Sequence, residues 1–479
     1  MTRKTVELLI PLSRGAGRPL VRQLEDLIRQ AIQSGSLKPR TLLPSTRDLA
    51  GQLEISRPTV VEAYSQLASE GFLALRQGAR PRVAESVIGE SRKDRTHSST
   101  EVLHRYDFRP STPDLHSFPR KAWLKATRKA LESMRPNEFG YDARHGTQAL
   151  RQSLAGYLGR VRSVVADPSQ IIVTSGYAQG RLLFCRALAS MGGKRLAVED
   201  PSYTSWRFAA SAGLRIVPIP VDREGIDVGR LGKSNADGVL VTPTHQSPTG
   251  CVLSGERRGE LLHWLQSKKR FALEDDYDAE FRYDRGPVGA LQGLAPERVV
   301  YAGTASKTLA PALRIGWLVV PDAMREAILS EHRLADYGAP RIEQNALATF
   351  INDGDLDRHL RRMRLIYRER RNALVSAIGE FLPEATIDGI SAGLHAAVSL
   401  PERIAEQAVS TEVAGRGVHI EFLSKWYVRK QDRPSTILIG YAQSNGSTLR
   451  AGIRILADAI HSVGRATTHR GRKARLNRS

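Results

Sequence analysis

Cysteine is almost missing: Cys185 and Cys251 are the only two in 479 residues. Two isolated thiols support neither a disulfide framework nor a cysteine zinc site, so a reducing, intracellular compartment and no metal are expected. Long hydrophobic runs are lacking too. The opening Leu8-Leu9-Ile10 is cut off by Pro11, too short for a secretory signal or a membrane span, which points to a cytoplasmic protein without membrane association. Acidic residues are scarce beside basic ones, 50 Asp and Glu against 71 Lys and Arg, giving a formal charge of +21. A field of that sign attracts polyanions, and by itself it does not separate DNA from RNA or an anionic membrane. With 41% hydrophobic and 25% charged residues, the chain is long enough for two or three globular units with real cores.

One stretch has almost nothing to bury. From Ser86 to Arg105, centred on Ser91-Arg-Lys-Asp-Arg-Thr-His-Ser-Ser-Thr, the composition is that of a linker. It separates a unit of residues 9–85 from one of residues 106–460. In the second unit apolar runs such as Gln170-Ile-Ile-Val-Thr, Gly238-Val-Leu-Val-Thr, Phe271-Ala-Leu-Glu and Val299-Val-Tyr-Ala alternate with helical stretches. That alternation predicts an α/β fold with a mostly parallel sheet and a smaller C-terminal α/β subdomain. Residues 461–479 carry Arg465, Arg470, Arg472, Lys473, Arg475 and Arg478 without an acid among them, and read as a solvated basic tail.

In the first unit Leu20, Leu24, Leu27, Ile28, Ala31 and Ile32 share one helical face before Gly35. Ser45, followed three residues later by Asp48, predicts the start of a short second helix burying Leu49, Ala50 and Leu53. Ser56 caps a third, in which Val60, Ala63, Tyr64 and Leu67 recur at helical spacing until Gly71. Two helices joined so tightly, the second exposing Arg57 and Thr59 in its first turn, suit insertion into a DNA major groove. Phe72 to Leu75 and the basic stretch through Val83 read as a β-hairpin wing. Spacing alone also fits a helical bundle with a basic face. The words Leu43-Pro-Ser-Thr-Arg-Asp-Leu-Ala, Ile55-Ser-Arg-Pro-Thr-Val and Tyr64-Ser-Gln-Leu-Ala-Ser-Glu-Gly-Phe-Leu closely resemble the GntR family of winged helix-turn-helix regulators, from about Leu9 to Val83. The resemblance implies a double-stranded DNA operator as partner, Arg47, Arg57 and Thr59 at phosphates and bases, and Gln77 and Gly78 in the wing. Pro58 departs from the small polar residue of many relatives.

The larger unit holds groups that make chemical sense together. Ser306-Lys307 follows an apolar run directly, so the lysine is expected at a strand's carboxyl end, where α/β sheets place ligands. Pyridoxal phosphate (PLP) needs an amine to bond its aldehyde carbon, a carboxylate for its ring nitrogen, a donor for its phenolic oxygen and a nest for its phosphate. Lys307, Asp275, Tyr277 and Arg314 answer these in turn, with Ser306 adding a hydroxyl. The amides of Tyr177 and Ala178, opening a helix, are aimed at the phosphate, and Tyr203 is placed to stack on the ring. Taken singly, those last two segments read equally well as an ordinary turn and a packing tyrosine. His245 and Trp264 read as structural, and Asp276 and Asp278 as capping or solvating their loop.

Glu199-Asp-Pro-Ser-Tyr, Thr242-Pro-Thr-His-Gln-Ser-Pro-Thr-Gly, Glu274-Asp-Asp-Tyr-Asp-Ala-Glu-Phe and Gly303-Thr-Ala-Ser-Lys-Thr-Leu-Ala-Pro-Ala-Leu-Arg-Ile-Gly resemble the fold-type I aminotransferase domain of the MocR regulators, from about Tyr106 to Asp458. That subfamily joins a GntR head to an aminotransferase-like body. The resemblance implies the PLP roles just given, a homodimer, and an amine, an amino acid or PLP itself as effector. Two departures stand out: Ser247 replaces the asparagine common in aminotransferases, and Ser424-Lys425-Trp426 stands where carboxylate-binding relatives can carry Ser-Arg. Lys425 would meet an anion there as a point charge. An active aminotransferase would share every cofactor residue, and a sequence-nonspecific nucleic-acid binder would share the charge. A winged head joined by a linker favours the regulator.

Overall fold

The computed structural model describes residues 11–13, 17–85, 104–140, 145–203, 205–283, 286, 288–336, 338–401, 404–429 and 434–476. The expected linker falls almost wholly outside the described residues, with only His104 and Arg105 inside. The chain divides into two compact units, Met1–Val102 and Leu103–Ser479.

In the first unit three helices, α1 (Leu20–Gln33), α2 (Thr46–Gln52) and α3 (Arg57–Ser69), precede a two-stranded antiparallel hairpin, β1 (Leu73–Ala74) and β2 (Arg82–Val83). The caps explain the helix starts. The Ser45 side chain accepts from the Asp48 amide and the Ser56 side chain from the Thr59 amide, each satisfying an amide with no partner inside its helix, a contribution of about 1 kcal/mol. Leu24, Ile28, Leu49, Val60, Ala63, Tyr64, Leu67 and Val83 close one core. Each large apolar side chain buried there contributes about 1.5–3 kcal/mol. The Tyr64 hydroxyl, caught in that core, donates to the Pro44 carbonyl at 3.1 Å and so fixes the turn into α2. The left-handed Gly78, φ 75°, turns the hairpin.

In the second unit the strands are β3 (Tyr106–Asp107), β4 (Ile171–Thr174), β5 (Arg195–Asp200), β6 (Arg215–Asp222), β7 (Gly225–Ile226), β8 (Gly238–Val241), β9 (Phe271–Asp275), β10 (Val299–Thr304) and β11 (Gly316–Val319). They are followed by β12 (Thr386–Asp388), β13 (His395–Ser399), β14 (Val418–His419), β15 (Glu421–Phe422) and β16 (Thr436–Gly440). Eight of them form one sheet in the order β4-β11-β10-β9-β8-β5-β6-β7. From β10 through β6 the pairings are parallel, while β11 runs antiparallel to both neighbours. Both faces are covered: Ile172, Val198, Leu240, Leu273 and Val300 point into one cluster, and Ala197, Val239, Ala272 and Val299 into another. This is why those strands read as continuous apolar runs rather than alternating ones. A smaller antiparallel sheet, β12-β13-β16-β15, forms the C-terminal subdomain, and β3 pairs with β14. The last helix, Gly446–Leu476, runs on past residue 460, where a solvated tail was expected. No described helix is long and apolar enough to cross a membrane.

Candidate functional site

Four strands of the large sheet end at one place. β4 leads into Ser175-Gly176-Tyr177, β9 into Asp275 to Tyr277, β10 into Ser306-Lys307 and β8 into Thr242 to Ser247. Their parallel course puts the carboxyl ends, and so these residues, along one edge.

Lys307 lies in a single helical turn, Ala305–Thr308, capped by the Thr304 hydroxyl. Burial pushes its amine below the ordinary lysine range, against the opposing pull of Asp278 and Asp275, so more of it is an unprotonated nucleophile at neutral pH. Its Nζ donates to the Ser111 carbonyl at 2.8 Å. Asp275 is buried, and that burial raises its carboxyl to about 7, although Arg181 and Tyr177 favour the ionised form. Its Oδ1 makes no hydrogen bond of good geometry, and its one polar neighbour of note is the Tyr177 hydroxyl, itself otherwise unbonded. A buried carboxyl oxygen so poorly paired is costly, and the protonated ring nitrogen of PLP is a donor that would satisfy it fully. On this observation the residues fit the cofactor.

Tyr277 is buried and held firmly protonated by that burial. Its hydroxyl is 3.0 Å from His245 Nδ1, which is 2.9 Å from Asp278 Oδ2, while His245 Nε2 is 3.3 Å from the Gly389 carbonyl. A carboxylate and a carbonyl only accept, so the imidazole meets both as a doubly protonated cation. Burial alone would lower the His245 pKa, but the charge and hydrogen bond of Asp278 outweigh it and the pKa is raised. The Tyr277 oxygen then shares the Nδ1 proton, with Ser247 and Asp278 as further hydrogen-bond partners around it.

On the phosphate side, Gly176 (φ 95°) turns β4 into the helix Tyr177–Ser190, whose first amides, those of Tyr177 and Ala178, have no partner within the helix. A Cβ on Gly176 would stand 3.2–3.3 Å from the Arg314 guanidinium, which donates to the Ser175 carbonyl at 2.7 Å. Arg314 is itself left-handed, φ 50°, and the close approach needs glycine opposite it. Ser306 bonds Thr304 through hydroxyl and amide. Lys307, Asp275, Tyr277, Ser306, Arg314 and the two amides therefore meet at one edge of the sheet.

Two further expected residues, Tyr203 and Lys425, have other neighbours as well. Tyr203 is 56% exposed with its ring 5.1 Å from that of Trp426. Lys425 lines a cleft of about 890 Å³ together with Asp222, Arg223, Glu406 and Tyr427, and none of Lys307, Asp275 or Tyr277 lines it. Three readings of the sequence are corrected. Asp276 and Asp278 do not solvate a loop: Asp276 is 2.7 Å from buried Arg162 and Asp278 pairs with His245. His245 is part of the site rather than plain packing. Ser111 and His395 were missed, because their partners lie far away in the chain and no local pattern signals them. Among the described residues no group of three His, Cys, Asp or Glu is placed to hold a metal.

In the first unit Arg47, Arg57, Gln77 and Gly78 are exposed. Thr59 is half-buried with its hydroxyl 2.7 Å from that of Ser56, so it serves the helix cap as well as facing outward.

Comparison with known proteins agrees with both units. Residues 20–83 match the gntR family of bacterial regulatory proteins, and residues 110–400 match the class I and II aminotransferases. The chain is 32% identical over 474 residues to the probable rhizopine catabolism regulatory protein MocR of Rhizobium meliloti, covering 94% of this chain and 96% of the relative. It is 31% identical over 444 residues to the pyridoxine biosynthesis transcriptional regulator PdxR of Corynebacterium glutamicum, covering 91% and 95%. Among solved structures, the multiple substrate aminotransferase of Thermococcus profundus superposes with a TM-score of 0.69 at 24% identity, over 77% of this chain and 93% of that one. The chain belongs to the MocR subfamily of GntR-family transcription regulators, in which a DNA-binding helix-turn-helix is joined to an aminotransferase-like domain.

Proposed function

We propose that the aminotransferase-like domain holds PLP at Lys307 and uses it to sense an amine, an amino acid or PLP itself, and that this state sets the affinity of the winged unit for its operator. The observation that carries the reading is the buried, poorly paired Asp275 Oδ1 at the same sheet edge as the buried amine of Lys307, in a chain that also carries a DNA-reading head. The cofactor supplies an electrophilic aldehyde carbon and an electron-withdrawing ring. Lys307 offers the nucleophilic nitrogen, Asp275 holds the proton on the ring nitrogen, and Tyr277, backed by His245 and Asp278, donates to the phenolic oxygen. Arg314, Ser306 and the amides of Tyr177 and Ala178 bind the phosphate.

Arg47 and Arg57 contact phosphates and bases, with Thr59 beside them and Gln77 and Gly78 in the wing. Leu124, Leu131 and Phe139, 64%, 41% and 58% exposed, support a homodimer, since large exposed apolar side chains are costly in water. The protein works in the cytoplasm, at its operator. Lys425 and its cleft give an effector room and a positive charge outside the lysine site.

The test is fluorescence anisotropy of labelled DNA from upstream of the protein's own gene, titrated with the full chain without PLP, with PLP, and with PLP plus candidate amines. The reading expects the apparent Kd to change by about tenfold or more, equivalent to ~1.4 kcal/mol of coupling. An affinity indifferent to all of them contradicts it.

A further inference from the structure

Ser111 stands where three parts of the larger unit meet. Its backbone is left-handed, φ 58°, a conformation uncommon for a residue with a side chain and so maintained by its contacts. Its carbonyl accepts from Lys307 Nζ at 2.8 Å, and its hydroxyl lies 3.1 Å from His395 Nδ1. His395 belongs to β13 of the smaller sheet, is buried, and has its Nε2 3.0 Å from the Pro248 carbonyl. That carbonyl only accepts, so the ring proton sits on Nε2. Burial lowers the imidazole to about 4, which leaves Nδ1 bare, and the Ser111 hydroxyl is therefore the donor. One serine thus joins the lysine of the large sheet to a histidine of the small one.

The segment that carries it is anchored on both sides. Tyr106 and Phe108 donate their amides to the carbonyls of Gly417 and His419, at 3.0 and 3.1 Å, and the Phe108 carbonyl accepts from the Gly440 amide at 2.9 Å. On the other side, Asp114 pairs with Arg370 at 2.9 Å and its amide donates to the Tyr367 hydroxyl. Between these anchors Ser111 touches the lysine, and N-terminal to residue 104 the chain continues toward the DNA-binding unit.

We propose that Ser111 is a positioning residue that orients the Lys307 amine and registers whether its nitrogen is free, passing that difference along residues 104–114 toward the DNA-binding unit. The inference rests on the reading of Lys307 as the cofactor lysine. A free amine or ammonium has protons for the Ser111 carbonyl. When an amine condenses with an aldehyde, a C=N bond forms, the carbonyl oxygen leaves as water with two nitrogen protons, and the nitrogen keeps at most one. With at most one proton left, fixed in the plane of the C=N bond, the nitrogen can no longer turn a proton toward the Ser111 carbonyl, and the left-handed turn is held by its hydroxyl alone. Whatever frees the nitrogen again restores the bond.

Hydrogen–deuterium exchange of the full chain with and without PLP tests this, with the absorbance of lysine-bound PLP recorded in parallel. In the wild type, uptake of PLP is expected to speed exchange of the amides of residues 106–114 by about threefold or more, as local opening becomes easier. Ser111→Gly keeps the carbonyl and loses only the hydroxyl, so on PLP uptake no tether is left and the rise in exchange of these amides exceeds that of the wild type. His395→Gln, which removes the bare ring nitrogen, shows the same enlarged response. A serine with a merely structural role would alter both states equally and leave the difference between them intact. Exchange that is unchanged or slowed on uptake in the wild type, or a response in Ser111→Gly equal to that of the wild type, overturns the proposal while the cofactor reading stands. A wild-type protein showing no uptake overturns both.

Discussion

Arg162 and Asp276 meet 2.7 Å apart with both side chains 2% exposed, and Tyr301 and Thr244 complete the hydrogen bonding around them. Asp276 sits next to the cofactor carboxylate Asp275, yet it turns into the opposite layer and belongs to the scaffold. Removing one partner leaves the other charge buried and alone, so Asp276→Ala should destabilise the protein by about 3–5 kcal/mol, read from urea denaturation of the cofactor-free chain. A loss under 1 kcal/mol would mean the pair does not brace the site.

Asp275 should behave the other way. Burial raises its carboxyl from 3.8 to about 7, so the stability tied to its neutral form is complete below pH 3.8 and is lost as the pH rises through 7. Asp275→Asn removes that loss. The cofactor-free variant should be more stable than the wild type above pH 7, on the order of 2–4 kcal/mol, with no gain near pH 4, while PLP binding weakens at least tenfold. Thermal melts across pH, with PLP titrations at pH 8, measure both effects. A variant that is less stable at pH 8 contradicts the assignment.

For His245 the pKa is raised above 6.5 by Asp278. The stability contributed by the imidazolium is therefore present below pH 6.5 and fades as the pH climbs through the raised value. Replacing Asp278 by Asn should flatten that part of the melting profile and shift the pH titration of the bound cofactor's absorbance, because Tyr277 shares the same ring nitrogen. An absorbance titration identical to wild type would separate the pair from the cofactor.

Much of this was legible in the sequence where the cause is local. Ser45 and Ser56 announce helix starts because a cap acts over three residues, and β8, β9 and β10 read as strands because both faces of the sheet are covered. Lys307, Asp275, Tyr277 and Arg314 were legible because each follows a strand or a turn closely. Ser111, His395 and the true partners of Asp276 and Asp278 were not. Ser111 meets His395 across 284 residues and Asp276 meets Arg162 across 114, and such pairings come from the tertiary fold alone. The neighbour of Tyr203 was hidden for a similar reason: its ring lies 5.1 Å from that of Trp426, contributed by the smaller subdomain.

The exposed arginines of the first unit give a separate prediction. Arg47→Ala and Arg57→Ala should leave the melting temperature almost unchanged, since both side chains are exposed. Each should weaken operator binding and lower the salt slope, log Kd against log salt concentration, by about 0.9 per lost phosphate contact. An unchanged slope would place the DNA on another face.

Central to the account is the covalent anchoring of PLP on Lys307. The purified full chain and Lys307→Ala should each be incubated with PLP, reduced with borohydride, freed of excess cofactor and analysed by absorbance and peptide mass. The account predicts a cofactor adduct in the wild type on the peptide containing Lys307, and none in the variant. Equal labelling of both proteins, or of neither, would contradict it.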